Sequence, residues 1–195
     1  LAQQGVFVGA HIAKVGGVKD ALFDPNSIDK ETLNCLGDST FAVLNPEAEE
    51  NMRAVIEAAR LQQNSVGGSI ECAAIGLPVG VGGNMFSTVE SKLSALLFGI
   101  PAVKGVEFGE GFRLANLRGS ESNDPYRIDE KGKIVTVTNR MGGISGGITN
   151  GMPLIFRCAV KPTPSIPKEQ ETVDFVKGEN VSLMIGGRHD PCVAH

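Results

Sequence analysis

Two short segments in the C-terminal third of the sequence carry the side chains best suited to chemistry. The run Lys161-Pro162-Thr163-Pro164-Ser165 presents one ammonium group and two hydroxyls on a segment whose prolines fix φ. Because such a segment loses little further freedom on binding, it suits an anionic ligand that accepts hydrogen bonds. A proline-rich exit from a strand is an alternative interpretation that stays open.

The second segment is residues 186–192, GGRHDPC, in which Arg188, His189 and Asp190 are consecutive. The planar guanidinium of Arg188 can bind a phosphate or a carbonyl edge, and the carboxylate of Asp190 can accept a proton or orient a ring nitrogen. On composition alone, a surface ion pair in a turn explains the same residues.

Glycine pairs mark two further loops, at residues 76–83 and 142–147. Glycine loses more backbone entropy on folding than any other residue, so repeated pairs predict close approach of the backbone to something, and around 142–147 we expect a ligand. For 76–83 a crowded turn is an alternative that stays open. The sequence contains no Walker loop, no H-E-x-x-H and no strand-linked G-x-G-x-x-G. Nucleotide hydrolysis and Rossmann-type binding are therefore disfavoured.

The first half of the chain must position these loops with two strands and two helices. Alternation predicts a strand within 5–18, with His11 on a solvated face, and an irregular connection over 19–43. Asn45 and Pro46 predict a helix start, and the Gly67-Gly68 pair predicts its end. The predicted buried face of this helix comprises Ala48, Met52, Val55, Ile56 and Ala59.

A strand is predicted over 68–77, followed by a second helix from Ser87, whose hydroxyl and Glu90 form a capping box. This helix should bury Val89, Leu93, Leu96 and Leu97 and end before Pro101. From Val103 the pattern changes to short strands, at 103–109, 112–119, 133–139, 154–160 and 179–185. Strands without helices between them pair antiparallel, so the sequence predicts an α+β fold forming a single unit over 1–195.

Composition excludes several functional classes. The net charge of −4 argues against a nucleic-acid partner, and no apolar run reaches the roughly 20 residues that a membrane helix needs. The four cysteines lie far apart and form no zinc pattern, so we expect reduced thiols, no metal site and a cytoplasmic location.

Six motifs in fixed order resemble the chorismate synthase family. They occupy residues 76–82, 100–112, 118–124, 138–153, 161–166 and 187–192, and the resemblance runs from about residue 5 to residue 193. It implies a layered β-α-β sandwich of antiparallel sheets with helices between them, assembled as a homo-oligomer, usually a tetramer.

The resemblance also implies a reaction and a site. Members of this family use reduced FMN in a 1,4-anti elimination of phosphate from 5-enolpyruvylshikimate 3-phosphate, which gives chorismate. By motif, the implied cofactor-binding residues are Pro101, Ala102, Gly146, Lys161, Pro162, Thr163, Pro164, Ser165 and Arg188. Asp190 and Arg188 would assist proton movement at the flavin ring and hold negative charge.

Part of the family pattern does not occur in these residues. The GESHG, R-P-x-H-A-D and R-S-S-A-R-E segments, which supply two catalytic histidines and arginines for substrate phosphate, are not present, and neither His11 nor His189 matches those histidines. We therefore expect a central-to-C-terminal part of a longer protein, inactive alone and self-associating through an exposed apolar face. A non-catalytic flavin- or anion-binding module and an assembly fragment are the alternatives.

Overall fold

The computed structural model describes residues 1–187 and 189–194. Its strands are β1 (Phe7–Val15), β2 (Val18–Lys19), β3 (Gly68–Ile75), β4 (Val103–Phe108), β5 (Tyr126–Ile128), β6 (Ile134–Thr136), β7 (Ile144–Ser145), β8 (Ile148–Thr149), β9 (Leu154–Val160), β10 (Glu169–Asp174) and β11 (Glu179–Met184). Its helices are α1 (Lys30–Asp38), α2 (Pro46–Leu61), α3 (Val89–Phe98) and α4 (Gly119–Ser122), with 3₁₀ turns at Ala2–Gln4, Met85–Ser87 and Gly111–Asn116.

A five-stranded sheet in the order β2-β1-β3-β9-β4 organises these elements. Every neighbouring pair in it is antiparallel, which confirms the predicted α+β class. Three two-stranded hairpins, β5-β6, β7-β8 and β10-β11, lie outside the sheet. β3 and β4 begin, and β9 ends, at the same end of the sheet. The loops that flank these strands at that end must therefore lie close together.

Helix α2 forms as its sequence pattern predicts. The side chain of Asn45 accepts a hydrogen bond from the amide of Glu47 at 3.0 Å, and Pro46 occupies the first turn. Ala48 and Met52 are buried against Ile12 and Val15 of the sheet. The predicted end was wrong: α2 stops at Leu61, and Gln63 has φ 55, outside the helical region.

The Gly67-Gly68 pair starts β3 instead of ending the helix. A β carbon on Gly67 would lie 2.5 Å from the carbonyl oxygen of Val160, and one on Gly68 would lie 2.4 Å from that of Lys14. These glycines therefore let neighbouring backbones approach each other at the end of the sheet where β3 begins.

The segment predicted to be an irregular connection over 19–43 contains α1. Asp29 caps this helix by accepting from the amide of Thr32 at 2.6 Å. Leu33 and Leu36 are buried, and Leu33 lies directly over Gly9, where a β carbon would approach its Cδ2 to 2.9 Å. The pattern was missed because two leucines supply nearly all the apolar surface of an otherwise polar helix.

Two predictions for the middle of the chain need correction. α3 begins at Val89 with Thr88 as its N-cap, one residue later than expected, and Leu96 is 72% exposed rather than buried. Val89 and Leu93 do pack against the core. The segment predicted as a strand over 112–119 forms a 3₁₀ turn instead, while β5 and β10 were missed.

None of the helices in the described part of the chain combines the length and apolar character needed to cross a bilayer.

Candidate functional site

The first candidate site lies where β3 and β4 begin and β9 ends. We call the residues 65–68, 101–102, 161–165 and 189–194 the proline-loop cluster. Three hydrogen bonds join its segments: the amide of Lys161 donates to the carbonyl of Ala102 at 2.9 Å, the hydroxyl of Ser65 donates to the carbonyl of Thr163 at 2.6 Å, and the amide of Val66 donates to the carbonyl of Pro191 at 2.8 Å. The fold thus brings together loops that are far apart in the sequence.

Several features of the proline-loop cluster suit a polar, anionic ligand. Thr163 Oγ1 and His189 Nε2 are buried and have no hydrogen-bond partner in the described part of the chain. Lys161 is partly buried and forms none of the ion pairs among the described residues. Ala102 has φ 70, a left-handed conformation that is uncommon outside glycine. Unsatisfied buried polar atoms and local strain are both typical of binding sites.

The remaining predicted residues fall in different places. Pro101, Pro162 and Pro164 are exposed within the cluster, Ser165 is half-buried there, and Asp190 is exposed next to Pro191. Arg188 lies outside the described residues. Their roles as cofactor-binding or catalytic residues stay predictions.

Gly146 lies away from this cluster, at the opposite end of the sheet. It forms the tip of the β7-β8 hairpin, in which Ile148 bridges to Gly82, beyond the end of β3. The described fold does not bring Gly146 together with Lys161, so its cofactor role stays a prediction.

The other glycines around this hairpin pack against the chain itself. A β carbon on Gly142 would lie 2.5 Å from the amide nitrogen of Gly109, and one on Gly143 would lie 2.5 Å from the carbonyl oxygen of Pro153. At Gly146 no atom of the residues that the structure describes lies within 4 Å of such a carbon. Close approach was correctly expected from the glycine pairs, but at Gly142 and Gly143 the partner is backbone, not ligand.

A row of buried and half-buried ionisable side chains, which no sequence pattern predicted, crosses the middle of the sheet. His11 pairs in register with Glu71, Glu71 with Arg157, and Arg157 with Glu107, so one ionisable side chain comes from each of β1, β3, β9 and β4. Asp20 extends the row beyond His11. We call these five residues the charge row.

Hydrogen bonds connect every neighbour in the charge row. His11 Nδ1 lies 3.1 Å from Asp20 Oδ2, and its Nε2 lies 3.0 Å from Glu71 Oε2. Arg157 Nη1 donates to Glu71 Oε1 at 3.2 Å and Nε donates to Glu107 Oε1 at 2.7 Å. Both ring nitrogens of His11 therefore face carboxylate oxygens.

The two most buried carboxylates of the row, those of Glu71 and Asp20, also accept hydrogen bonds from backbone amides on either side of α1. Glu71 Oε2 accepts from the amide of Phe23 at 2.8 Å, and Asp20 accepts from the amides of Leu44 and Asn45 at 2.6 and 3.0 Å. His11 is 1% exposed, so its predicted place on a solvated face was wrong. No local pattern indicates this burial, because β1 also contains Lys14, which is exposed.

Three of the four cysteines have thiols that resist ionisation. Burial, with smaller contributions from Cys158 and Glu71, raises the pKa of the Cys72 thiol to about 12. Burial also raises the pKa of Cys158 and Cys192. Thiolate is the reactive form, so none of these three residues suits covalent catalysis.

Comparison with known proteins gives the family. The model of the family described as chorismate synthase matches residues 1–195. The chain belongs to the chorismate synthase family. Among its relatives, the chorismate synthase of Thermococcus gammatolerans is 43% identical over 99% of this chain and 52% of its own length. That of Korarchaeum cryptofilum is 52% identical over 76% of this chain and 41% of its own length.

The fold agrees with this assignment. A solved structure titled "Crystal Structure of Chorismate Synthase" superposes with a TM-score of 0.76 at 29% identity, covering 85% of this chain and 52% of that chain. The chain thus spans about half the length of the chorismate synthases that it matches.

Asp124 and Asn139, from the motifs at 118–124 and 138–153, form several hydrogen bonds within the chain. Asp124 accepts from the hydroxyl of Thr138 at 2.7 Å and from the amides of Arg140 and Met141 at 2.8 and 3.0 Å. Asn139 donates to the carbonyls of Pro25 and Pro153 and accepts from the amide of Gly143. These residues hold the glycine-rich hairpin in place, which is a structural role rather than a chemical one.

Proposed function

We propose that the protein containing this chain catalyses the reaction of the chorismate synthase family. In that reaction 5-enolpyruvylshikimate 3-phosphate loses phosphate and a ring proton in a 1,4-anti elimination, forming chorismate. Family membership supports the reaction class. The observation that carries the proposal is the convergence of three family motifs in the proline-loop cluster, where Lys161 forms no ion pair with any residue that the structure describes.

The residues of the proline-loop cluster fit reduced FMN. The free ammonium of Lys161 would bind the FMN phosphate, and Thr163 and Ser165 would bond the ribityl chain. Thr163 Oγ1 supports this fit, because it is buried without a hydrogen-bond partner among the described residues, and such an atom is costly until a polar group reaches it. When bound, the reduced flavin supplies an electron-rich ring beside the departing phosphate.

Other residues of this chain would act at the ring end of the cofactor. Asp190 would hold a proton at the flavin ring nitrogen, and Arg188 would hold negative charge. The left-handed Ala102, with Pro101, would present backbone to the ring. An elimination of phosphate requires an environment that stabilises negative charge, and Lys161 and Arg188 would supply the positive charge.

The proposal extends to assembly and to activity. We propose a cytoplasmic homo-oligomer, tetrameric as the family resemblance implies. We also propose that residues 1–195 alone bind cofactor without turnover, because the family segments with the catalytic histidines do not occur among them. A non-catalytic flavin- or anion-binding module is the alternative function, and the orphaned Thr163 hydroxyl is compatible with it as well.

FMN binding tests the assignment of the site. Titration of the protein with FMN, followed by flavin fluorescence under oxidising and anaerobic reducing conditions, should show saturable binding. Lys161→Ala should weaken it about tenfold or more, because a charge-assisted contact to phosphate is lost. Lys131→Ala, on the exposed β5-β6 turn, is the matched control.

Two outcomes decide between the alternatives. Unchanged affinity in Lys161→Ala would remove the proposed phosphate contact. FMN binding without phosphate release from 5-enolpyruvylshikimate 3-phosphate, measured in the full-length protein with reduced FMN, would favour the non-catalytic module.

A further inference from the structure

A cavity of about 550 Å³ lies on the sheet beside the charge row, and the proposed function leaves it without a role. Its floor is a row of small residues: Ser69 pairs in register with Ala159, and Ala159 with Gly105. This row is two residues from Glu71, Arg157 and Glu107 along each strand, so both rows face the same side. Small side chains leave a flat surface there.

Two exposed apolar side chains line the same cavity. Leu22 is 52% exposed and Phe112 is 84% exposed, although both border a concave surface. Together with the small-residue floor, they form a slot that favours a flat apolar group over a bulky one.

Two lysines supply positive charge at the cavity that a ligand can contact. Lys14 and Lys19 both line it, and they are directly opposite each other in the β1-β2 pairing. Like charges in that arrangement repel. Neither lysine takes part in any of the ion pairs formed among the described residues. An anion bound at both ammonium groups would relieve the repulsion.

The two carboxylates that line the cavity, those of Asp20 and Glu107, already accept hydrogen bonds from groups within the protein. Asp20 accepts two backbone amides and faces His11. Glu107 accepts from Arg157 Nε and, at 3.3 Å, from the amide of Phe112. The charge that remains available to a ligand is therefore positive.

We propose that this cavity binds a flat organic anion, an aromatic ring that carries one carboxylate or phosphate. The ring lies over Ser69, Ala159 and Gly105 between Leu22 and Phe112, and the anionic group contacts Lys14 and Lys19. Arg157 borders the ring and donates one hydrogen from each of Nε, Nη1 and Nη2 within the protein, which leaves two of its five N–H groups for a polar substituent. The lining of this cavity shares no residue with the proline-loop cluster, and the inference does not depend on the proposed function.

Calorimetric titration of the protein with four probes tests the proposal. Phenyl phosphate and benzoate should bind, whereas inorganic phosphate, which lacks the ring, and benzyl alcohol, which lacks the charge, should bind at least about tenfold more weakly. The stronger of the two aromatic anions identifies whether phosphate or carboxylate is preferred.

Variants locate the binding. Lys14→Gln and Lys19→Gln should each weaken phenyl phosphate binding, and the double variant should weaken it about tenfold or more. Lys92→Gln, on the exposed surface of α3, should leave it unchanged. Ala159→Leu should block the floor, and Phe112→Ala, which changes an exposed side chain, removes one wall without disturbing the fold.

The proposal is overturned if the lysine and Phe112 variants bind phenyl phosphate as the unsubstituted protein does. It is also overturned if FMN displaces phenyl phosphate, since the cavity would then belong to the cofactor site. Retained phenyl phosphate binding in Lys161→Ala, with FMN binding lost, separates this inference from the proposed function.

Discussion

Replacement of Glu71 by alanine should destabilise the fold far more than replacement of a surface carboxylate. Glu71 is 1% exposed and accepts from three donors: His11 Nε2, the Phe23 amide and Arg157 Nη1. Alanine leaves all three without their acceptor, and His11 and Arg157 lose the charge between them. Removing one member of a buried ion pair costs about 3–5 kcal/mol, so we expect a loss in that range.

Urea unfolding followed by far-ultraviolet circular dichroism measures this change in the free energy of unfolding. Glu57→Ala is the matched control, because Glu57 forms an ion pair with Arg60 on the solvent-exposed side of α2. Its midpoint should shift little, since exposed ion pairs contribute little.

A double-mutant cycle separates the interaction energy between Glu71 and Arg157 from the contribution of burying each side chain. Glu71→Gln and Arg157→Gln should each destabilise, and the double variant should lose less than their sum, with a coupling of about 0.5–3 kcal/mol. Our account of the charge row is refuted if Glu71→Ala costs less than about 1 kcal/mol, the typical effect of an ordinary substitution. Strict additivity in the cycle would contradict the proposed contact between Glu71 and Arg157.

Three further predictions concern the cysteines and the glycines. Iodoacetamide at neutral pH should label the exposed Cys35 of the folded protein much faster than the half-buried Cys72, whose thiol has a raised pKa; equal labelling rates, read by mass spectrometry, would contradict the raised pKa of Cys72. Because the folded pKa of Cys72 is raised to about 12 from the ordinary value of 9.0, the unfolded thiol ionises first, and stability should fall by up to about 1.4 kcal/mol per pH unit between these values. Cys72→Ala should flatten that slope in urea titrations at alkaline pH, and an unchanged slope would count against the shift. Gly142→Ala should lower the melting temperature more than Gly146→Ala, since both have positive φ but only Gly142 would place its β carbon 2.5 Å from backbone; equal melting temperatures would disprove the clash.

Local patterns predicted those parts of the fold that local interactions determine. The start of α2 follows from the Asn45 cap and Pro46, and both act within one turn of the helix. β1, β3, β4 and β9 follow from their apolar and β-branched residues. α1 was missed because its stability comes from Leu33 and Leu36 packing on distant strands, which periodicity in so short a polar segment does not indicate.

The charge row required information that no local pattern contains. His11 and Glu71 are 60 residues apart, and Glu71 and Arg157 are 86 apart, so their contacts depend on strand order and register. Moving any of these strands by one residue would turn its charged side chain to the other face of the sheet. β1 and β4 each contain a lysine besides their member of the charge row, so only the fold shows which ionisable residues are partners.

The same strand order explains which predicted site residues can act together. β9 lies between β3 and β4 and is antiparallel to both, so the loops at 65–68, 101–102 and 161–165 must meet at one end of the sheet. The segments before β9, including Gly146, must then lie toward the other end. With about 3.3 Å per residue, the seven residues of β9 separate these ends by roughly 20 Å. A ligand held by Lys161 therefore contacts Gly146 only by spanning the sheet or by binding residues from two copies of the chain.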